Sequence, residues 1–285
     1  EKCEPEKDYE IFMGKIINCG HDSRGTIQID DKGNIKEDFS EMIKKYQEYL
    51  KHELKEDGNS FILNRKDLID SVLLPGYYDF ELLKHTIKNE GNKNYEFISL
   101  GELEERGHIT IQNVPSSISK DVYGSGKIPF IRTTDIANGE VLYSTIHTVS
   151  QEAFEKYKNK QGLREHDILF VKDGTYRIGD SVLLFKKDLN CLVQSHFKII
   201  RVHKKEIINP FLLFFLLQQE IVQKQIQNNV FTQATLSSIG NRIYDLKIPL
   251  PKNKEEKEKI SKLVQDALTI RNKMKHELFD FKLTL

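Results

Sequence analysis

The side chains best able to do chemistry in this chain lie in polar loops, without the spacing that catalysis demands. Lys127, Arg132, Thr133 and Thr134 belong to the run from Gly126 to Ile136, GKIPFIRTTDI. Lys172, Thr175, Tyr176 and Arg177 share a Lys-Asp-Gly-Thr-Tyr-Arg turn, Gln194, Ser195, His196 and Lys198 form a third group, and Gln233 and Thr235 lie in Phe-Thr-Gln-Ala-Thr-Leu from Phe231. Such cations, amides, hydroxyls and an aromatic ring donate, accept and stack; they form no recognisable nucleophile. The histidines, at 21, 52, 85, 108, 147, 166, 196, 203 and 276, include no pair at the helical spacing of a zinc site. Pro75 with Asp79, Glu81 and Lys84 is the one pattern suggestive of a magnesium-dependent nuclease, and its Asp-x-Glu spacing with a helix-like continuation is not the usual arrangement. No serine or cysteine stands in a nucleophile motif.

Elements to position these loops can be read from periodicity. Alternation marks a strand from Tyr9 to Cys19, and Phe39, Met42, Ile43, Tyr46, Leu50 and Leu54 mark a helix with Asp38 and Ser40 as cap candidates and Gly58 as its stop. Ser60 to Leu63 reads as a short strand. From Phe97 onward strands dominate, at Lys127 to Ile131, Asp167 to Lys172, Ser181 to Phe185, Leu192 to Val202 and Ile243 to Ile248. Asn209-Pro210 opens a helix through Phe211, Phe214, Phe215, Leu217, Ile221, Val222 and Ile226, a stripe read as core packing. After Pro251 one long helix carries Ile260, Val264, Ala267, Met274, Leu278 and Phe281 at alternating intervals of three and four, interrupted at Arg271, a coiled-coil-like seam.

Composition fits a soluble α+β protein. Of 285 residues, 30% are charged, enough to solvate a surface around a core drawn from the 38% that are apolar. The formal net charge of zero conceals an asymmetry: residues 1–95 hold 20 acidic against 15 basic side chains and residues 96–285 hold 23 against 28, so the second part is the candidate for a polyanion. Three cysteines without a C-x-x-C spacing suit a reducing, cytoplasmic setting. The longest apolar run, Phe211 to Leu217, falls far short of the roughly 20 residues of a membrane span. The start, Glu-Lys-Cys-Glu-Pro, lacks an initiator methionine and a signal region and reads as part of something longer.

Taken in order, Ile98-Ser-Leu-Gly-Glu-Leu, the Gly126 to Ile136 run, Glu165-His-Asp-Ile-Leu-Phe with Gly174 and Gly179 after it, Asn209-Pro-Phe, the Phe231 loop and Ile248-Pro-Leu-Pro resemble the target recognition domain of type I restriction-modification specificity subunits. The glycine usual near Phe231 to Gln233 is absent. Tyr9-Glu-Ile-Phe-Met-Gly-Lys and Cys19-Gly-His-Asp-Ser-Arg-Gly-Thr are similar to the C-terminal tail of adenine-specific N6 DNA methyltransferases. The resemblance implies a small mixed connector at 1–92, a β-rich, highly twisted recognition domain at 93–252 and a spacer or dimerisation helix at 253–285. It implies binding of double-stranded DNA, which is presented to an adenine methyltransferase and to a restriction subunit, with self-association through 253–285.

No Asn/Asp-Pro-Pro-Tyr/Phe motif or glycine-rich cofactor loop occurs, so the chain is expected to be catalytically silent, with S-adenosylmethionine held by the associated methyltransferase. The rival readings are a fragment of a combined enzyme with activity of its own and a protein-interaction scaffold.

A recognition domain needs donors and acceptors matched to base edges, and the four polar groups are the candidates for that role and for phosphate contacts. Each has a plainer alternative. Arg132 can pair with Asp135, His196 can be a partly buried strand histidine, and Tyr176 can cover the core instead of stacking on a base. The charged face from Lys252 to Lys262 is read as solvated, with helical pairs Glu255–Lys259 and Glu258–Lys262.

Overall fold

The computed structural model describes residues 8–22, 24–68, 73, 75–78, 94–115, 118, 122–143, 146–174, 177–233 and 236–280, except for the side chains of 231–233, 236 and 275–280. The chain divides into two compact units, Glu1–Gly91 and Asn92–Leu285.

In the first unit, β1 (Glu10–Gly14) pairs antiparallel with β2 (Ser60–Asn64), and α1 (Phe39–Leu50) packs Tyr46 and Tyr49 against Phe12. The strand ends at Gly14, short of the expected Cys19, because residues 19–37 fold into turns joined by isolated bridges such as Cys19↔Glu37 and Ile29↔Ile35. Asp38 occupies the position before α1 without capping it, since its carboxylate accepts from the Ile17 and Asn18 amides at 2.9 and 2.7 Å. The helix stops at Leu50 and not at Leu54, where His52 takes a left-handed φ of 58°. Met42 and one side of Tyr46 lie against β1, but Phe39, Ile43, Tyr46 and Leu50 all stay largely exposed, so the periodicity is real and only part of its face is covered.

The second unit opens with β3 (Tyr95–Ser99), α2 (Leu100–Glu105) and β4 (Ile109–Asn113). Next come β5 (Ile128–Ile131), β6 (Ile136–Ala137), β7 (Glu140–Val141), β8 (Thr148–Val149) and α3 (Gln151–Gln161). They lead to β9 (Ile168–Val171), β10 (Asp173–Gly174), β11 (Ser181–Leu183), β12 (Leu192–Val193) and β13 (Phe197–Val202). The chain ends with α4 (Pro210–Leu217), α5 (Glu220–Asn229), β14 (Phe231–Gln233), β15 (Leu236–Ser238), β16 (Lys247–Pro251) and α6 (Lys254–Asp280).

An antiparallel sheet of order β11-β9-β13-β4 is the centre of this unit, buried on both faces at β11, β9 and the first part of β13, while the edge strand β4 buries Ile109 and Ile111 and exposes Thr110 and Gln112. Strand alternation sorts its side chains: Ile168, Phe170 and Ile200 face a layer built on α4, α5 and α6, whereas Leu169, Val171 and Ile199 face Ile131, Ile136 and Val193 on the other side. The result is an α+β fold.

Several sequence expectations are redrawn. The single helix expected through Ile226 breaks into α4 and α5 at Gln218 and Gln219. The strand expected from Leu192 to Val202 breaks at residues 194–196, and the first half of Ile243 to Ile248 belongs to a 3-10 turn (Gly240–Asp245), with β16 starting only at Lys247. The seam expected on α6 separates into two faces: Ile260, Val264 and Leu268 pack on the core beside α4, so the helix belongs to the second unit, while Leu263, Ala267, Ile270 and Met274 are exposed. Arg271 interrupts the seam because its guanidinium turns to the β6–β7 turn, donating to the Asn138 and Gly139 carbonyls at 3.1 and 2.8 Å and pairing with Glu140 at 2.7 Å. Lys254 pairs with Glu258 on the exposed side.

Candidate nucleic-acid interface

Backbone hydrogen bonds bring three of the polar groups together with the β14–β15 hairpin. β12 runs parallel to β5, so Gln194 leaves β12 beside the end of β5; its amide donates to the Ile131 carbonyl at 2.9 Å and its side-chain oxygen accepts from the Thr133 amide at 3.4 Å. His196 in turn accepts from the Lys172 amide at 2.9 Å through its carbonyl, and Lys172 accepts from the Ile239 amide at 3.0 Å. β10 pairs with β15 with Asp173 opposite Ser238. Residues 132–134, 194–196, 172–173 and 237–239 thus form one continuous strip. The interruption of the long strand at Gln194 to His196 makes this possible, because it frees that segment to bridge its neighbours.

A residue that the sequence reading passed over lies at the centre of the strip. The Asp173 carboxylate accepts from the Ser238 hydroxyl at 2.5 Å and the Lys172 ammonium at 2.9 Å, and has the His196 ring nitrogen Nδ1 at 3.5 Å. Burial works against its charge, but the hydrogen bonds from Ser238 and Lys172 outweigh it and hold the carboxyl below the usual aspartate range. Below this cluster Lys198, on β13, is 97% buried by area, being 3% exposed. Its ammonium lies over the Tyr244 ring, 5.2 Å from the centroid, and no hydrogen bond to it occurs among the described residues. Burial, and then the neighbouring charge of Lys172, push the Lys198 ammonium below the ordinary lysine range. No carboxylate pairs with it at close range among the described residues, Glu104 and Asp173 acting only through their longer-range field, and such a largely buried cation favours an anion or a strong acceptor brought to it. Tyr244 is fixed by its own hydroxyl, which donates to the Ile111 carbonyl at 3.2 Å.

The other candidates divide by what already holds them. Arg132 makes the internal pair: its Nε and a terminal nitrogen donate to buried Asp135 at 3.1 and 3.0 Å, and Asp135 also accepts from the Arg132 amide at 2.9 Å. Arg177 is turned inward similarly, donating to the Ile136 carbonyl at 2.8 Å and pairing with Asp180 at 3.2 Å. Thr134 is exposed at the end of β5, whereas exposed Lys127 lies at the opposite end of that strand. Ser195 and His196 are half-buried. Gln233 lies in β14, its side chain outside the described residues, as are Thr175, Tyr176, Thr235 and the Asp79, Glu81 and Lys84 pattern. Among the described residues no three His, Cys, Asp or Glu side chains are grouped as a metal site, and no helix is long and apolar enough to cross a membrane.

The framework motifs have structural causes. Gly126 is required by close approach: a Cβ there would lie 2.4 Å from the Val149 carbonyl oxygen and 2.6 Å from the Ser150 Cα. Within Glu-His-Asp-Ile-Leu-Phe, Asp167 is 1% exposed and receives Arg201 from β13 in a two-pronged contact, both distances 2.7 Å. Two buried glutamines complete strand edges: Gln161 exchanges hydrogen bonds with the Val193 backbone at 2.8 and 2.9 Å, and Gln225 with the Lys247 backbone, both at 2.7 Å.

Residues 92–278 match the family model of the type I restriction modification DNA specificity domain. No curated protein matches the chain. Among solved structures, the S subunit of a type I restriction-modification system from M. genitalium is 16% identical, with a TM-score of 0.45 over 67% of this chain and 42% of that one. An HsdS subunit from Thermoanaerobacter tengcongensis is 15% identical, with a TM-score of 0.40 over 69% of this chain and 44% of that one. The chain spans less than half the length of either.

Proposed function

Since the chain belongs to the family of type I restriction modification DNA specificity domains through residues 92–278, we propose that it binds a specific double-stranded DNA sequence and presents it to an adenine N6 methyltransferase, and to a restriction subunit where one is present. The observation that carries this reading is the strip of residues 132–134, 172–173, 194–198 and 237–239, which gathers side-chain donors and acceptors from distant parts of the sequence. Lys172, His196 and Lys198, with Thr133, Thr134, Gln194 and Ser195, are the contacts expected from it; Gln233, Thr235, Thr175 and Tyr176 belong to the adjoining loops. Lys127, Arg132 and Arg177 are assigned to backbone phosphates or to the frame, where an internally paired guanidinium can still offer its remaining donors.

Catalysis belongs, in this reading, to the methyltransferase, which would hold S-adenosylmethionine and flip the target adenine. The exposed row Leu263, Ala267, Ile270 and Met274 on α6, spaced four, three and four, supports pairing with a second helix from another copy or a partner subunit. A cytoplasmic setting follows from a DNA target.

Selection of bound duplexes from a random pool, followed by salt titration of the winning sequence, tests the proposal. A defined motif is expected, with log affinity falling linearly in log salt at a slope of about −0.9 per phosphate neutralised. A pool that stays random, or an affinity indifferent to salt, refutes DNA reading and leaves the scaffold alternative. Tight binding of labelled S-adenosylmethionine to this chain refutes the catalytic assignment.

A further inference from the structure

A carboxylate at the centre of a surface meant for DNA needs a reason, because an anion there repels phosphate. Asp173 is ionised, and a fifth of its side chain remains exposed (19%). An ionised carboxylate offers about four acceptor positions, and Ser238, Lys172 and His196 take three. Lys172 and His196 meet one carboxylate oxygen and Ser238 the other, so the remaining acceptor position is on the oxygen that Ser238 holds, with the Lys172 ammonium on the oxygen beside it. In the major groove the only hydrogen-bond donors that bases present are exocyclic amino groups, cytosine N4 and adenine N6, and each lies beside acceptors, guanine O6 in one pair and adenine N7 with thymine O4 in the other. An acceptor with an ammonium beside it is the complement of that pattern.

We propose that Asp173 is a specificity-determining residue that accepts a hydrogen bond from the exocyclic amino group of a base in the major groove, with the Lys172 ammonium donating to an acceptor beside it. This rests on the DNA-reading function proposed above. Phosphates do not explain Asp173, since they offer it no donor. A purely internal role as a clamp for Lys172 and Ser238 is the competing account, and it makes a different prediction.

The test compares sequences selected from a random duplex pool by the full chain and by its Asp173→Ala, Asp173→Asn and Asp173→Leu variants, with thermal unfolding as the control for folding. One position of the wild-type motif is expected to demand cytosine or adenine, and the letter found distinguishes the two amino groups. Asp173→Ala should lower discrimination at that position alone, by about tenfold to a hundredfold, while affinity for unrelated DNA holds or rises as a negative charge is lost. Asp173→Asn exchanges one acceptor for an amide donor, so a cytosine position should move toward adenine, whose N6 and N7 suit an amide, and an adenine position should hold; Asp173→Leu, of similar shape and without acceptors, should relax either and carries the test if the alanine variant unfolds. An unchanged motif, with affinity reduced equally for all sequences, overturns the inference and leaves DNA recognition standing. A random pool with the wild-type chain overturns both.

Discussion

Replacing Arg201 by methionine should be among the costliest single changes in the second unit. Asp167, 1% exposed, accepts two hydrogen bonds from the Arg201 guanidinium, both at 2.7 Å, and a third from the Arg164 amide at 2.7 Å; Arg201 also donates to the Gly162 carbonyl at 2.8 Å. Arg201→Met removes the cation and leaves a buried carboxylate with one amide, a change worth about 3–5 kcal/mol of destabilisation. Asp167→Asn should cost less, about 2 kcal/mol, because Arg201 keeps the Gly162 carbonyl and is 15% exposed, within reach of water. Applied together, the two substitutions should cost less than their sum by about 2 kcal/mol, since the second has no charge left to strand. The chain has no tryptophan and comprises two units, so a global fluorescence melt is a poor reporter. Hydrogen exchange at the β9 and β13 amides, which these residues join, reads the opening free energy locally. A loss under about 1 kcal/mol in Arg201→Met, or strict additivity in the double variant, would refute the assignment of this pair as a buried, mutually dependent charge couple.

Gly126→Ala puts a Cβ at 2.4 Å from a carbonyl oxygen, so the backbone has to shift; an overpacking cost of about 1–3 kcal/mol should lower the Tm by about 2–10 °C in calorimetry. Burial, followed by the charge of Asp188, pushes the Cys191 thiol up to about 12, leaving about one molecule in 10⁴ as thiolate at pH 8. Peptide mapping after iodoacetamide treatment of the folded chain should therefore show exposed Cys19 modified and Cys191 spared, with urea exposing Cys191; equal labelling without denaturant would contradict the buried placement. Lys198→Met should leave stability unchanged or raise it, by removing a desolvated charge, while DNA affinity falls; joint loss of both would mean that Lys198 serves the fold alone.

Local patterns were enough to locate the core strands, since β9 and β13 are short, apolar and bounded by turn residues, and the Asn209-Pro210 start is realised with Asn209 accepting from the Phe211 amide at 2.9 Å. The same method missed α3, whose buried residues, Ala153, Phe154 and Gln161, are scattered among charges. Pro249 and Pro251 discourage a strand, yet both lie in β16, which among the described residues pairs with β3 alone, and an edge tolerates prolines that a central strand would not. The exposed apolar row on α1 shows the converse limit: periodicity identifies a face without saying what covers it.

The candidate interface was legible as a set of polar loops but not as an arrangement, because what joins 132–134 to 194–196 and 172 to 239 is pairing between residues far apart in sequence. Charge was the more misleading signal. Both arginines chosen for DNA have an aspartate three residues later, Arg132 with Asp135 and Arg177 with Asp180, and both spend part of their guanidinium on it. That R-x-x-D spacing stands in the sequence at both places and marks a guanidinium already partly occupied within the chain. Lys198 has no acidic residue within a helical turn of it in sequence, and Lys172 pairs with its neighbour Asp173, which looks like an ordinary turn residue between lysine and glycine but is also held by Ser238, 65 residues away. A basic side chain without a nearby carboxylate in sequence, as at Lys198, is thus the better candidate for a polyanion, whereas a carboxylate such as Asp173, gathered with an adjacent lysine and a serine from a distant strand, points to a base donor.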